Sequence, residues 1–95
     1  PMTATAAPSI RLVTEVPGPR SRELVARRDA AVAAGLGKAT PVAVAHASGA
    51  LVTDLDGNTL LDFVSGIGTL ATGHCPPEVV AAVQAQAAQL IHFSA

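Results

Sequence analysis

A few side chains in this sequence are of the types that carry out chemistry, and their spacing decides what each could do. His74 and Cys75 suggest a thiol nucleophile with its base, but sequence neighbours rarely point at each other and no third group is evident to orient the histidine. The three histidines and the one cysteine also lack the spacing of a zinc site. We therefore expect His74 to bond loop backbone, and we predict no metal ligands.

Lys38 is the only lysine in the chain. A lysine that forms a Schiff base needs a desolvated pocket. Lys38 instead follows Gly35-Leu36-Gly37 and precedes a proline, which is typical of a surface turn, so we expect a solvated charge. No catalytic residue is predicted in this chain.

Two short motifs imitate ligand sites. Residues 66–71 match the relaxed G-x-G-x-x-A dinucleotide fingerprint, but Gly73 to Pro77 interrupt the helix that must follow it, and no acidic residue stands near Gln86. Asp54, Asp56 and Asn58 imitate the start of a calcium loop, yet glycine comes at the fourth position and no glutamate closes the cage. The first pattern indicates loop geometry and the second a hairpin turn.

The elements that position these residues begin with an extended or mobile arm over residues 1–20, rich in Pro, Thr and Ala, with a strand-like stretch at 10–13. A helix follows, with Ser21 as its cap and Gly35 as its end. Alternating valines over 42–46 and two strand-like runs around Asp56-Gly57 predict a three-stranded antiparallel meander.

A loop with several glycines comes next, from Ser65 to Pro76, and Pro77 suits the first turn of a second helix. The apolar residues of that helix share one stripe: Val79, Val80, Val83, Ala87, Leu90 and Ile91. The sequence therefore predicts an α/β chain in the order helix, meander, loop, helix.

The composition indicates that these elements need more protein to pack against. Hydrophobic residues make up 49% of the chain, but many are alanine, and the two phenylalanines are the only aromatic residues. Alanine buries little apolar area, so such a core gains little against the entropy of ordering the chain. We expect this chain to be the amino-terminal piece of a larger α/β protein.

Charge and hydropathy exclude several partners. A net charge of −1 provides no basic patch for nucleic acid, and no apolar run approaches the length of a membrane span. The lone cysteine cannot form an internal disulfide, and the start of the chain has no signal-peptide pattern. We expect no nucleic acid, no membrane and a cytoplasmic location.

Several motifs in correct order resemble the start of class III pyridoxal-phosphate-dependent aminotransferases, most closely those of the 4-aminobutyrate type. The similarity runs from about Ser21 to Phe93 and is carried by residues 54–58 (DLDGN), 61–63 (LDF), 65–68 (SGIG), 72–76 (TGHCP) and 79–86 (VVAAVQAQ). The order and spacing of all five are more specific than any one of them.

The resemblance implies the N-terminal part of the small domain of a fold-type I transferase over residues 21–95, in a homodimer of longer chains. It implies transfer of the amino group of 4-aminobutyrate, or a similar ω-amino acid, to 2-oxoglutarate through pyridoxal 5′-phosphate. Ile67 corresponds to an isoleucine that lies against the substrate's carbon chain, with Ser65 and Gly66 beside it. The family's Schiff-base lysine and other cofactor-binding residues have no counterpart here.

By this interpretation the 95-residue chain is inactive by itself. The alternative is a non-catalytic module or split-gene product that folds against a partner chain through its apolar helix faces. Ile67 could also be a packing residue of its loop rather than a substrate contact.

Overall fold

The computed structural model describes residues 9–94, and the first helix, α1, spans Pro19–Ala31. It begins two residues before the predicted Ser21 because proline suits the first helical position, where its missing N–H would have no partner. It ends at Ala31, before the predicted Gly35. The next residue, Val32, has an extended backbone, and its N–H donates to the Arg28 carbonyl. The part of the predicted arm over residues 1–8 lies outside the described residues.

The prediction that Ser21 caps α1 is wrong. The N-cap residue is Gly18, and the capping group is the Asp56 carboxylate, which accepts the N–H of Arg20 at 2.7 Å and that of Ser21 at 3.0 Å. Gly18 is required because a Cβ there would stand 2.4 Å from the Asp56 Cγ. Ser21 itself is fully buried, and its Oγ accepts the N–H of Ala43 at 3.2 Å.

The predicted antiparallel meander is confirmed. The strands β1 (Val44–Ser48), β2 (Leu51–Asp54) and β3 (Thr59–Leu61) lie in the order β1-β2-β3. The hairpin between β2 and β3 has a three-residue loop, closed by the Asp54 N–H on the Asn58 carbonyl, with Gly57 at φ 91°. A glycine at positive φ is the usual last residue of such a loop.

The described part of the arm is extended and attached to this sheet. Within the predicted stretch 10–13, Arg11 and Thr59 exchange both backbone hydrogen bonds, at 2.9 and 2.7 Å. The Asn58 side chain then accepts the N–H groups of Val13 at 2.7 Å and Thr14 at 2.9 Å. The arm thus pairs with β3 through a single antiparallel bridge at Arg11 and Thr59.

The most deeply buried side chains are polar. Within residues 9–94, Ser21, Asp54 and Asn58 are buried and no hydrophobic side chain is. The Asp54 carboxylate accepts the N–H of Asp56 at 2.9 Å and, from Asn58, both the backbone N–H at 2.8 Å and the side-chain amide at 2.9 Å. The Asn58 amide also donates to Thr14 Oγ1 at 2.7 Å, so the pair has partners on three segments.

After the short helical turn α2 (Ser65–Gly68), the last helix, α3, spans Pro77–Ala87 and starts at the predicted proline. The predicted stripe is wrong at its end, because the helix stops before Leu90 and Ile91. None of its residues is buried, and the described chain has a radius of gyration of 16.9 Å, against about 12 Å for a compact domain of this length. Within residues 9–94, no helix is long and apolar enough to cross a bilayer.

Replacing Asn58 tests the importance of the buried polar pair. Asn58→Ala removes the acceptor of two arm amides and leaves Asp54 Oδ2 without its donor, so we expect a loss of roughly 2 to 4 kcal/mol in the free energy of unfolding. Thr14→Ala removes one bond of the same network and should cost about 1 kcal/mol. Denaturant unfolding of the full gene product measures both losses. Equal losses for the two substitutions would contradict the importance of the buried polar pair.

Candidate functional site

The loop after β3 contains one turn of left-handed helix. In α2 (Ser65–Gly68) the φ angles of the four successive residues are 53°, 64°, 59° and 78°. The turn is closed by the Gly68 N–H on the Val64 carbonyl at 2.9 Å and the Thr69 N–H on the Ser65 carbonyl at 3.0 Å. Positive φ is unusual for serine and an outlier for a β-branched isoleucine, so this conformation needs support from its surroundings.

This turn holds the three residues predicted to contact substrate. Ile67 is 81% exposed, and Ser65, Gly66 and Gly68 around it are small. A Cβ added at Gly68 would meet nothing within 4 Å, whereas one at Gly66 would meet Thr69 Oγ1, so the open space for a ligand is at Gly68. The position of Ile67 fits the predicted contact with a substrate chain, which stays a prediction.

The Asp62 carboxylate holds the start of this turn. Its Oδ1 accepts the N–H of Val64 at 2.9 Å and that of Ser65 at 2.8 Å, and its Oδ2 lies 2.6 Å from His74 Nε2. The N–H of Ser65 first, then His74 and the N–H of Val64, hold the pKa of Asp62 below its ordinary value, although partial burial acts in the opposite direction. Asp62 is therefore a carboxylate near neutral pH.

His74 joins this carboxylate to the sheet. Because an ionised carboxylate can only accept, the proton between the two side chains lies on His74 Nε2. The His74 backbone exchanges two hydrogen bonds with Gly49, in the turn between β1 and β2, at 3.0 and 2.8 Å. The predicted side-chain bond from His74 to loop backbone is wrong: the side chain bonds Asp62, and the backbone groups make the loop contacts.

The other residues considered for chemistry have structural or surface positions. Cys75 is exposed and free. Lys38 Nζ lies 2.9 and 3.1 Å from the two carboxylate oxygens of Asp29 on the surface, and this contact is the main cause of the lowered pKa of Asp29. Among the residues that the structure describes, no cluster of potential ligands could hold a metal ion.

Comparison with known proteins identifies the family of this chain. Residues 32–95 match the model of the family described as aminotransferase class-III. The chain is 51% identical over 84 residues to the 4-aminobutyrate aminotransferase of Mycobacterium tuberculosis H37Rv, which covers 88% of this chain. This chain belongs to the class III aminotransferases.

Solved structures agree with the fold expected of a class III aminotransferase. An omega-transaminase from Sphaerobacter thermophilus superimposes with a TM-score of 0.70 at 30% identity, over 82% of this chain and 19% of its own. An ornithine aminotransferase from Toxoplasma gondii, which has partial occupancy of pyridoxal phosphate at its active site, gives 0.66 at 34% identity over 74% and 16%. The chain spans 19% of the length of the M. tuberculosis relative.

The sequence of this aminotransferase chain predicts the loop that contains Ile67 but not the left-handed turn or the side chains that support it. Asp62 and His74 each stood in a motif of the resemblance, in LDF and TGHCP, with no link between them. They are 12 residues apart, a separation that no helix or strand periodicity relates. The only available signal was that a carboxylate and a histidine flank the same glycine-containing loop.

The lowered pKa of Asp62 predicts how the turn responds to acid. A carboxylate whose native pKa is depressed adds stability above its unfolded pKa of about 3.9, and this contribution is lost as the pH falls through the native value. We expect hydrogen-exchange protection factors of the Val64 and Ser65 amides to be constant above about pH 5 and to fall below about pH 4. Asp62→Asn should lower the protection at neutral pH and flatten its pH dependence.

The Thr59 amide, which donates to the Arg11 carbonyl at 2.7 Å, provides the internal reference against global acid unfolding. Loss of protection at Thr59 in parallel with Val64 and Ser65 would contradict a local effect of Asp62.

Proposed function

We propose that this chain is the N-terminal segment of an aminotransferase that moves the amino group of 4-aminobutyrate, or a similar ω-amino acid, to 2-oxoglutarate. The observation that carries the proposal is the 51% identity, over most of this chain, to a 4-aminobutyrate aminotransferase. The exposed left-handed turn of α2 supports it, because it presents one apolar side chain among small residues. We further propose a cytoplasmic homodimer.

Ile67 would form an apolar wall for the methylene groups that separate the amine and carboxylate of 4-aminobutyrate. Burying a methylene against such a wall contributes about 0.8 kcal/mol. Ser65 and Gly66 would lie beside the substrate, as the resemblance implies, while the open space for it is at Gly68, because Thr69 Oγ1 fills the space at Gly66. This segment would therefore act in substrate binding rather than in proton transfer.

Pyridoxal 5′-phosphate is the cofactor that the proposal implies, and the residues of this segment do not fit its attachment. The single lysine, Lys38, is paired with Asp29 in an exposed turn. The cofactor would supply the electron sink for the reaction, while the protein supplies orientation and electrostatics. The lysine that binds it is accordingly proposed to lie outside these 95 residues.

The activity test uses the full gene product and the 95-residue chain side by side. We expect the full protein to form glutamate from 2-oxoglutarate with 4-aminobutyrate as donor, and the short chain to be inactive because Lys38 is not in a desolvated pocket. Absorbance of a bound cofactor in the short chain, abolished by Lys38→Ala, would contradict the proposal. The assay measures glutamate and succinic semialdehyde together.

The alternative of a non-catalytic module that folds against a partner is favoured by the absence of buried hydrophobic side chains within residues 9–94. The same two preparations separate it from the first proposal. A full gene product without transaminase activity, whose short chain gains helix and cooperativity only with a partner chain, would favour the module. Circular dichroism with size-exclusion chromatography measures this directly.

Substitution of Ile67 tests the substrate contact. Ile67→Ala removes the apolar wall, and we expect KM for 4-aminobutyrate to rise by about tenfold, equivalent to about 1.4 kcal/mol, with a smaller change in kcat. Ile67→Gly should raise KM at least as much without loss of thermal stability, because glycine adopts positive φ without strain.

Leu36→Ala serves as the matched control, since Leu36 is an exposed aliphatic residue in the turn after α1. Unchanged KM in both Ile67 variants, together with lower stability, would show that Ile67 is a packing residue of its loop.

A further inference from the structure

The conformation of the left-handed turn is costly for the residues that adopt it. A left-handed backbone is disfavoured for every residue other than glycine, because the Cβ comes too close to the following carbonyl oxygen, and Ser65 and Ile67 both adopt it. A conformation of this kind persists only where the surrounding structure determines it. The source of that support decides where the Ile67 side chain is held.

Hydrophobic packing does not supply the support within the described chain. Phe63 and Val64, which lead into the turn, are 90% and 63% exposed, and Ile67 itself is largely exposed. The contacts that do reach the turn are polar. Thr69 Oγ1 donates to the Gly66 carbonyl at 2.9 Å from within the loop, and Asp62 receives the two amides at its start.

Asp62 and His74 connect these contacts to the rest of the fold. One carboxylate oxygen of Asp62 accepts hydrogen bonds from the backbone N–H groups of Val64 and Ser65. The other accepts a hydrogen bond from His74 Nε2. The two side chains are 16% and 20% exposed, which limits competition from water. The His74 backbone exchanges two hydrogen bonds with Gly49, in the turn between β1 and β2, so a continuous chain of hydrogen bonds joins this turn to Val64 and Ser65 at the start of the turn that carries Ile67.

We propose that Asp62 and His74 are a positioning pair that holds Ile67 at one place along the substrate chain and thereby sets which length of ω-amino acid is accepted. This inference rests on the proposed function. Neither residue needs to touch the substrate. A wall held at one position favours one spacing between amine and carboxylate, whereas a turn free to move accepts several spacings.

Selectivity between 4-aminobutyrate and 5-aminovalerate is the readout, because the two donors differ by one methylene. In the full holoenzyme, His74→Ala should lower the ratio of their kcat/KM values by about five- to tenfold. His74→Gln should restore most of the ratio, since the glutamine amide can donate to Asp62 Oδ2 from nearly the same position as His74 Nε2. Thermal denaturation verifies that each variant is folded.

A double-mutant cycle tests whether the pair acts through Ile67. Ile67→Ala should lower the ratio by itself, and His74→Ala added to it should change the ratio by less than about twofold, because the positioned side chain is already gone. Independent, multiplying effects of the two substitutions would overturn the inference. So would equal losses for both donors in His74→Ala, with no recovery in His74→Gln.

Hydrogen exchange separates this inference from the proposed function. Protection of the Ser65 and Gly68 amides should fall in His74→Ala and recover in His74→Gln, whichever substrate the enzyme takes. Unchanged protection would overturn the positioning role even in an active enzyme. A wild-type protein inactive on both donors would overturn the proposed function and the selectivity role, while the exchange data would still decide whether the pair positions the turn.

Discussion

The arrangement of the arm on the β2–β3 hairpin depends on one buried polar pair, Asp54 and Asn58. Both side chains are removed from water, so each of their polar atoms must find a partner inside the protein. Those partners lie on the arm, in the hairpin loop and within the pair itself. Because leaving a buried polar group unpaired costs free energy, the arm and the hairpin are held in one relative position without an apolar core.

Two other aspartate carboxylates also accept hydrogen bonds from backbone N–H groups. Asp56 receives the first amides of α1, where burial would raise its pKa but the N–H groups of Arg20 and Ser21 lower it overall. Asp62 receives the amides at the start of the left-handed turn. In each case a carboxylate near a hairpin or loop satisfies backbone N–H groups that no helix or strand would satisfy. Backbone geometry at the candidate site thus depends on side-chain carboxylates.

The apolar residues of the described chain have a different position in the structure. Exposed apolar side chains lie on helix α3 and just after it, at Val79, Val83, Leu90 and Ile91. Two more lie before and within the left-handed turn, at Phe63 and Ile67. An apolar surface of this extent marks a place where other protein or a ligand binds. The expectation from composition that these elements pack against more protein stays a prediction.

The sequence by itself determined the element types, their order and the family. Valine alternation, the Asp56-Gly57 turn and Pro77 are local signals, and the three-stranded meander and α3 follow from interactions within a few residues. The five ordered motifs then identified the class III aminotransferases and the loop around Ile67. Helix ends were less well predicted, because Ser21 was assigned a cap that Asp56, 35 residues away, provides.

Only the tertiary structure decided which polar side chains hold the candidate site. The contact between Asp62 and His74 and the bonds from Asn58 to the arm join residues between 12 and 45 positions apart. No periodicity encodes such pairs, because their partners meet only when the hairpin and the loop have closed. The left-handed turn was also not predicted, because serine and isoleucine disfavour positive φ, and the turn is held by Asp62, which His74 contacts from 12 residues away.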